Sequence, residues 1–255
     1  MRVTNCNILK SNDMKSRNRF LISLVTTILV VVIFTFGCKK ANDSPEIAFG
    51  SITDQESNTY KTIEIGTQTW MAENLKTTKY NDNTSIPNVT GNVAWANLKT
   101  PGYCWYDNDE TTNKTEYGAL YNWYAVNTGK LCPTGWHVPS DAEYKTLEMS
   151  LELTQVQAND TLWRGTKPGA EMKDIAGWKT GENGTNTSGF SALPGGYRYH
   201  RDGTFYNITD LSYWWCSDDV TSATGYYRRL DGGNSGIYRA GTLKAAGKYV
   251  RCLKD

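Results

Sequence analysis

Hydrophobic and polar residues alternate over short spans along most of the chain, and those spans predict strands. Ile63 and Ile65 alternate with Thr62 and Glu64, the period-two pattern of a half-buried strand. The Asp54–Asn58 cluster before it and Gly66-Thr67-Gln68 after it carry turn chemistry, and Thr69-Trp70-Met71 returns as the next strand. Residues 52–72 therefore predict a β-meander. In the C-terminal third, Tyr213-Trp214-Trp215-Cys216, Tyr226-Tyr227-Arg228-Arg229-Leu230 and Tyr249-Val250-Arg251-Cys252-Leu253 read the same way. Arg201-Asp202-Gly203-Thr204 marks a hairpin, and Asp231-Gly232-Gly233-Asn234 marks a turn. The period changes at Ser140. Ser140-x-x-Glu143 is a capping box, and Tyr144, Leu147 and Leu151 fall at i, i+3 and i+7, which predicts one main amphipathic helix.

Between these spans the pattern dissolves. Residues 77–116 are rich in Asn, Asp, Thr and Gly with Trp95, Tyr103, Trp105 and Tyr106 interspersed, and predict long irregular structure pinned by aromatics. A short helix is expected at Ala170–Ile175, limited by Gly165, Pro168, Gly169 and Gly177. Residues 181–189 read as a loop.

One apolar run differs from all the others. Lys15, Arg17 and Arg19 precede an uncharged stretch from Phe20 to Phe36 that ends in Gly37-Cys38, the order of a bacterial export signal. Cys38 directly after Gly37 resembles a lipobox, with Thr35 a loose fit where Leu is usual. The expectation is a lipoprotein signal over residues 1–37, lipidation at Cys38, a polar tether over 38–51 and a domain over 52–255. The alternative is an uncleaved anchor. Either way the domain is expected outside the cytoplasmic membrane, on the lipid reading attached to a bacterial outer membrane.

Charge excludes one class of partner. The first 37 residues hold five Lys/Arg and one acid, which leaves 22 basic against 25 acidic residues, a net charge of −3, with no footprint for nucleic acid. Nine Trp and sixteen Tyr imply a dense β-rich core, with a stacking surface for sugars as the second reading.

Catalytic chemistry is sparse. His137 and His200 are the only histidines, and no C-x-x-C or H-x-x-x-H spacing supports a zinc site. Cys132 and His137 could form a thiol–imidazole pair only if the turn between them brought them face to face. Asp107-Asn108-Asp109-Glu110 lacks the loop glycine and distal glutamate of an EF-hand, so calcium has no motif behind it and no cofactor is expected. No nucleophile elbow, phosphate loop or dinucleotide fingerprint occurs.

Six motifs in this order, WMAENLKTTKYNDNTSIPNV, YGALYNWYAV, LCPTGWHVPSDAEY, ALPGGYRY, YWWCSDD and YVRCLKD, resemble the Fibrobacter succinogenes major paralogous domain. The resemblance covers residues 52–255 and implies a secreted or lipid-anchored bacterial surface protein. GWHVPSDAEY resembles more remotely a motif of the formylglycine-generating enzyme fold, a variant of the C-type lectin-like fold. The expected class is thus α+β and C-type lectin-like, with twisted antiparallel strands, one main helix, long irregular loops, and Trp70 and Val250 in the core. The reactive cysteines of that enzyme have no counterpart motif here. Four cysteines beyond Cys6 and Cys38 allow three connectivities if all pair. Cys132–Cys252 is favoured, since it ties the segment before the helix to the last strand. Cys104–Cys216 remains by elimination, with either or both free as the alternative. The functional expectation is a non-catalytic surface module for a glycan or protein partner, with an extracytoplasmic enzyme or a structural part of a surface assembly as alternatives. Loops on a rigid scaffold point to Asp202, Tyr206, Asn207, Trp214, Asp218 and Asp219 as ligand candidates. Trp214 and Trp215 alternate, so one of them is expected to be exposed.

Overall fold

Turn chemistry at both ends of the Ile63–Ile65 alternation closes two hairpins. β1 (Gly50–Thr53), β2 (Thr59–Ile65) and β3 (Gln68–Met71) run antiparallel, with Ile63 opposite Trp70. The two-residue connection at Gly66 needs the left-handed backbone that glycine supplies, here at φ +62°. The structure, a computed structural model, describes residues 47–255. The export signal, Cys6, the lipidation site Cys38 and the start of the tether lie outside the described residues. The tether is shorter than expected, because β1 already pairs with β2 from Gly50.

After β3 the chain is less irregular than its composition predicts. It forms α1 (Asn92–Ala96), β4 (Tyr103–Cys104), α2 (Glu110–Glu116), β5 (Leu120–Tyr121) and α3 (Trp123–Val126). The acidic Asp107–Glu110 run serves α2, since the Asp109 carboxylate caps it by accepting the Thr112 N–H. Then come β6 (Trp136–His137), α4 (Asp141–Ser150), α5 (Gln155–Asn159), β7 (Leu162–Arg164) and α6 (Pro168–Met172). In α4 both arms of the capping box form: the Ser140 oxygen accepts from Glu143 N–H at 3.2 Å, and the Glu143 carboxylate accepts from Ser140 N–H at 2.7 Å. α6 starts two residues before the expected helix, with Pro168 in its first turn where a missing N–H costs nothing. It ends at Met172, leaving Ile175 exposed in a turn.

The last third supplies β8 (Gly195–Arg198), β9 (Phe205–Ile208), β10 (Leu211–Thr221), β11 (Thr224–Asp231), β12 (Ile237–Leu243) and β13 (Leu253–Lys254). Three sheets result. One runs β1-β2-β3-β13-β6, a larger one runs β7-β12-β11-β10-β8-β9, and β4 pairs with β5. Pairing is mostly antiparallel, so the class is α+β. Leu253 of β13 sits opposite both Trp70 and His137, which brings the first and last strands into one sheet. The predicted last strand is shorter than expected. Tyr249 makes a single parallel bridge to Trp214, and regular pairing begins only at Leu253.

Burial explains the aromatic content. Trp70, Tyr144, Phe190 and Trp214 form one core, with ring centroids 5.0 Å apart for Trp70–Tyr144 and 5.7 Å for Phe190–Trp214. Val250 lies in a second cluster with Trp215 and Tyr121. Cys132 and Cys252 are bridged, with Cα atoms 5.9 Å apart across 120 residues, which stabilises by about 4–5 kcal/mol in the chain-entropy model. Cys104 and Cys216 do not pair; both are buried thiols pushed up to about 12 by loss of solvent, and are inert.

Candidate recognition face

Strand alternation in the larger sheet sorts its residues onto two faces. On β11, Arg228 and Leu230 point to one side, and Tyr227, Arg229 and Asp231 to the other. On β10, Trp214 and Cys216 share the first side, and Tyr213 and Trp215 the second.

The first face is closed by α4. The Glu148 carboxylate, fully buried, accepts from Arg164 at 2.6 and 2.9 Å and from Arg228 Nε at 2.5 Å. Asp141 accepts from Arg228 Nη1 at 2.9 Å and from Arg239 at 2.7 and 2.8 Å, and pairs with Lys145 at 3.0 Å. Burial works against the Asp141 carboxylate, yet Arg239, Arg228 and Lys145 outweigh it and hold its pKa well below the usual range. Every carboxylate here is taken up by protein cations, so this cluster fastens helix to sheet and offers no open acid or base.

The second face carries a row of rings that follows the strand order. Trp163 on β7 is opposite Tyr238 on β12, Tyr238 opposite Arg229 on β11, and Arg229 opposite Tyr213 on β10. Tyr197 on β8 lies 4.6 Å from Tyr213 by ring centroid, and opposite Tyr206 on β9 at 6.0 Å. Trp163 and Tyr238 are 5.2 Å apart, and Tyr227 bridges Tyr238 and Tyr213 at 6.2 and 5.6 Å. The row crosses all six strands and so runs roughly 24 Å at a strand spacing of ~4.8 Å. β9 can approach β8 this closely because Gly196 has no Cβ; one added there would collide with the Tyr206 carbonyl.

Cations thread the row. The Arg229 guanidinium lies 4.3 Å from the Tyr238 ring, 5.0 Å from Trp163 and 5.9 Å from Tyr213, and is held by Asp231 at 2.7 Å. Lys248 is buried beneath, 4.1 Å from Tyr213 and 4.2 Å from Tyr227; burial, with some repulsion from Arg229, drives its pKa well below the ordinary lysine value. Tyr213 and Tyr227 are recessed. Trp163, Tyr238, Arg229 and Tyr197 remain half-exposed, and Tyr206 is 39% exposed. Towards the far end of β10 the same face is roofed by α3, where Trp123 Nε1 donates to the Cys216 carbonyl and Trp215 is fully buried.

The sequence candidates distribute unevenly over this geometry. Tyr206 ends the row, and its hydroxyl donates to Asp202 at 3.0 Å, with Thr204 holding the same carboxylate. Asn207 is exposed next to them at φ +64°. Trp214 is a core residue that donates to Asn74 at 2.8 Å. Trp215 is buried too, so neither tryptophan of the pair is exposed, because α3 covers the side that was expected to be open. Asp218 and Asp219 are exposed but engaged elsewhere. Asp218 accepts the Asp141 N–H at the start of α4, and Asp219 pairs with Lys244 at 2.6 Å. The row members Trp163, Tyr197, Tyr213, Arg229 and Tyr238 were not singled out by the sequence. The available signal was the i, i+2 spacing of Tyr213 with Trp215 and of Tyr197 with Tyr199.

His137 does not meet Cys132 in a catalytic pair, since that sulfur is bridged; its ring instead joins Asp255 at 2.6 Å to Glu143 at 2.9 Å. Among the described residues no three His, Cys, Asp or Glu side chains gather as a metal site, and no helix is long and apolar enough to cross a membrane. Neither the curated proteins nor the solved structures contain a match to this chain. The family comparison is positive and spans most of the protein, matching residues 63–254 to the Fibrobacter succinogenes major domain, and the chain belongs to that family.

Proposed function

We propose that this is a non-catalytic, lipid-anchored surface module that recognises a glycan with the aromatic face of its larger sheet. The observation that carries this reading is the row from Trp163 to Tyr206. Half-exposed rings present flat apolar surfaces of the kind that stack on sugar faces, and Asp202, Asn207 and Arg229 supply polar groups beside them for hydroxyls. The row's length suits several sugar rings laid across the strands. Anchoring through Cys38, with the domain outside the cytoplasmic membrane, supports the same reading, since an outward-facing module meets glycans there. The C-type lectin-like reading of the fold agrees with the pairing of first and last strands in one sheet.

A glycan array probed with residues 45–255, with and without calcium, tests the proposal. Saturable binding that is lost in a Trp163→Ala/Tyr206→Ala variant supports it. Turnover of a glycan, abolished by changing one polar cluster, would place the protein among enzymes instead. For the anchor, Cys38→Ala is expected to block lipid labelling; labelling and processing like wild type would refute it.

A further inference from the structure

Arg251 is 1% exposed and has no carboxylate in contact among the described residues. Its Nε donates to Asn74 Oδ1 at 2.9 Å, one terminal nitrogen to the Phe190 carbonyl and the other to the Ser191 carbonyl at 2.9 Å. A guanidinium has five N–H donors, so two are left without a protein acceptor. Three other buried arginines are completed by carboxylates. Arg164, Arg228 and Arg239 close on Glu148 or Asp141. Arg198, also without an acid, makes four hydrogen bonds and lies between the Trp95 and Phe205 rings at 4.5 and 4.6 Å; Arg251 likewise lies 4.2 Å from the Phe190 ring and 5.6 Å from Trp214, but makes one hydrogen bond fewer.

What distinguishes Arg251 is a cavity of about 340 Å3 beside it, lined also by Asn74 and Ser191, the residues at two of its hydrogen bonds. That volume lies in the range of small-molecule sites. The wall is sorted by charge. Arg251 and the buried Asn74 form the floor, while Glu73, Glu116 and Asp174 stand half-exposed or exposed around it. Glu73 accepts the Lys61 N–H at 2.6 Å, and Asp174 the Ala176 N–H at 3.2 Å, while neither contacts the guanidinium. Lys61 also lines the cavity, its ammonium 5.5 Å from the ring of Phe49, another residue of the same wall. A cationic floor beneath an anionic rim is complementary to a ligand whose negative end enters first. A simple anion would have to pass three carboxylates, and a simple cation would meet the buried guanidinium.

We propose that this cavity binds a small zwitterion of the α-amino acid class, its carboxylate on the free N–H groups of Arg251 and its ammonium among Glu73, Glu116 and Asp174. None of these residues belongs to the aromatic row, so the proposal stands apart from glycan recognition. Charge-assisted hydrogen bonds of this kind are among the strong ones, and losing either end is expected to weaken binding roughly tenfold or more.

The test is calorimetric titration of the whole detergent-solubilised protein with free L-amino acids, their amides and their N-acetyl forms. At least one free amino acid is expected to bind saturably, with its amide and its N-acetyl form each at least ~10-fold weaker. Arg251→Lys removes the fork that receives the carboxylate, but this side chain also ties Asn74 to Phe190 and Ser191, and the variant can fail to fold. The rim pair Glu116→Gln/Asp174→Asn avoids that difficulty. It is expected to weaken the free amino acid and leave the N-acetyl form unchanged. Absence of binding by every free amino acid, equal binding of acid and amide, or equal binding of the free and N-acetyl forms would each overturn the proposal.

Discussion

Arg228 and Arg229 are adjacent on β11 and point to opposite faces of the same sheet. Arg228 enters a buried compartment under α4 and is met by Glu148 and Asp141, with hydrogen bonds of 2.5 and 2.9 Å. Arg229 faces outward, is half-exposed, and lies among the rings of Tyr238, Trp163 and Tyr213. The two faces balance charge in different ways. Beneath α4 the guanidinium groups of Arg164, Arg228 and Arg239 are matched by Glu148 and Asp141, since breaking such a buried pair costs several kcal/mol. Outward, a single carboxylate, Asp231 at 2.7 Å, is joined by aromatic faces, and part of their surface stays exposed. The cluster under α4 is sealed by the helix, and the Arg229 group is partly open to solvent.

The largest effect should come from unbalancing the inner face. Glu148→Ala strands Arg164 and Arg228 together, and is expected to destabilise by about 3–5 kcal/mol. Arg229→Ala, one residue from Arg228 in sequence, should cost about 1 kcal/mol or less, because solvent replaces what is lost. Urea unfolding of the two variants makes the comparison directly. Equal losses would mean that the outer face is as structural as the inner.

Asp141→Asn keeps the shape of the inner network and removes its charge, with an expected loss of about 2–3 kcal/mol at neutral pH. The sign of its pH dependence follows from a carboxyl held below its ordinary value in the folded state. That contribution is complete above the unfolded pKa of roughly 4 and is lost as pH falls through the folded value. Wild type should therefore lose stability on acidification through this window, and Asp141→Asn should lose less. Parallel acid-unfolding curves would count against the network as the source.

Trp163→Ala and Tyr206→Ala test the outer face where it is most open. Each is expected to cost about 1 kcal/mol of stability, since half-exposed rings surrender little buried area. Loss of glycan binding without loss of the fold would sharpen the contrast; a collapse of stability would show the row to be core.

The inner face was partly legible in the sequence and the outer one was not, for a physical reason. Ser140, Glu143, Tyr144 and Leu147 lie within one helix start, and local periodicity is enough to place them. The meander over residues 52–72 is local in the same way. The outer row joins residues from position 163 to 238 through strand register, and a shift of one residue would turn each ring to the other side. Nothing in a single strand states its partner's register. Tyr206 and Asp202 lie side by side because a turn brings them together; Trp214 is buried because it turns to the inner face, onto Phe190 and Asn74, partners that are distant in the chain.

The smallest expected effect concerns a third arrangement, neither sealed nor aromatic. His137 on β6 links Asp255 to Glu143 in the first turn of α4, at 2.6 and 2.9 Å, so it couples the smaller sheet to the helix that closes the inner face. Partial burial opposes the charged ring, but hydrogen bonds to Asp255 and Glu143 outweigh it and raise the pKa above the ordinary histidine value. A raised folded pKa gives stability that is fully present below the unfolded value of about 6.5 and is lost as pH rises through the folded value. The side chain is 38% exposed and its partner Asp255 is 60% exposed, so solvent screens the pair and the expected contribution is only ~0.2–1 kcal/mol. His137→Gln should thus lower the urea midpoint slightly near pH 5.5 and match wild type near pH 9, values chosen about 1 and 2.5 units on either side of the unfolded pKa. Salt at about 1 M should shrink the acid-side difference further, because screening acts on exposed pairs and spares the buried Glu148–Arg228 contact. An equal gap at both pH values would show that His137 acts through packing, and that the link between sheet and helix is not electrostatic.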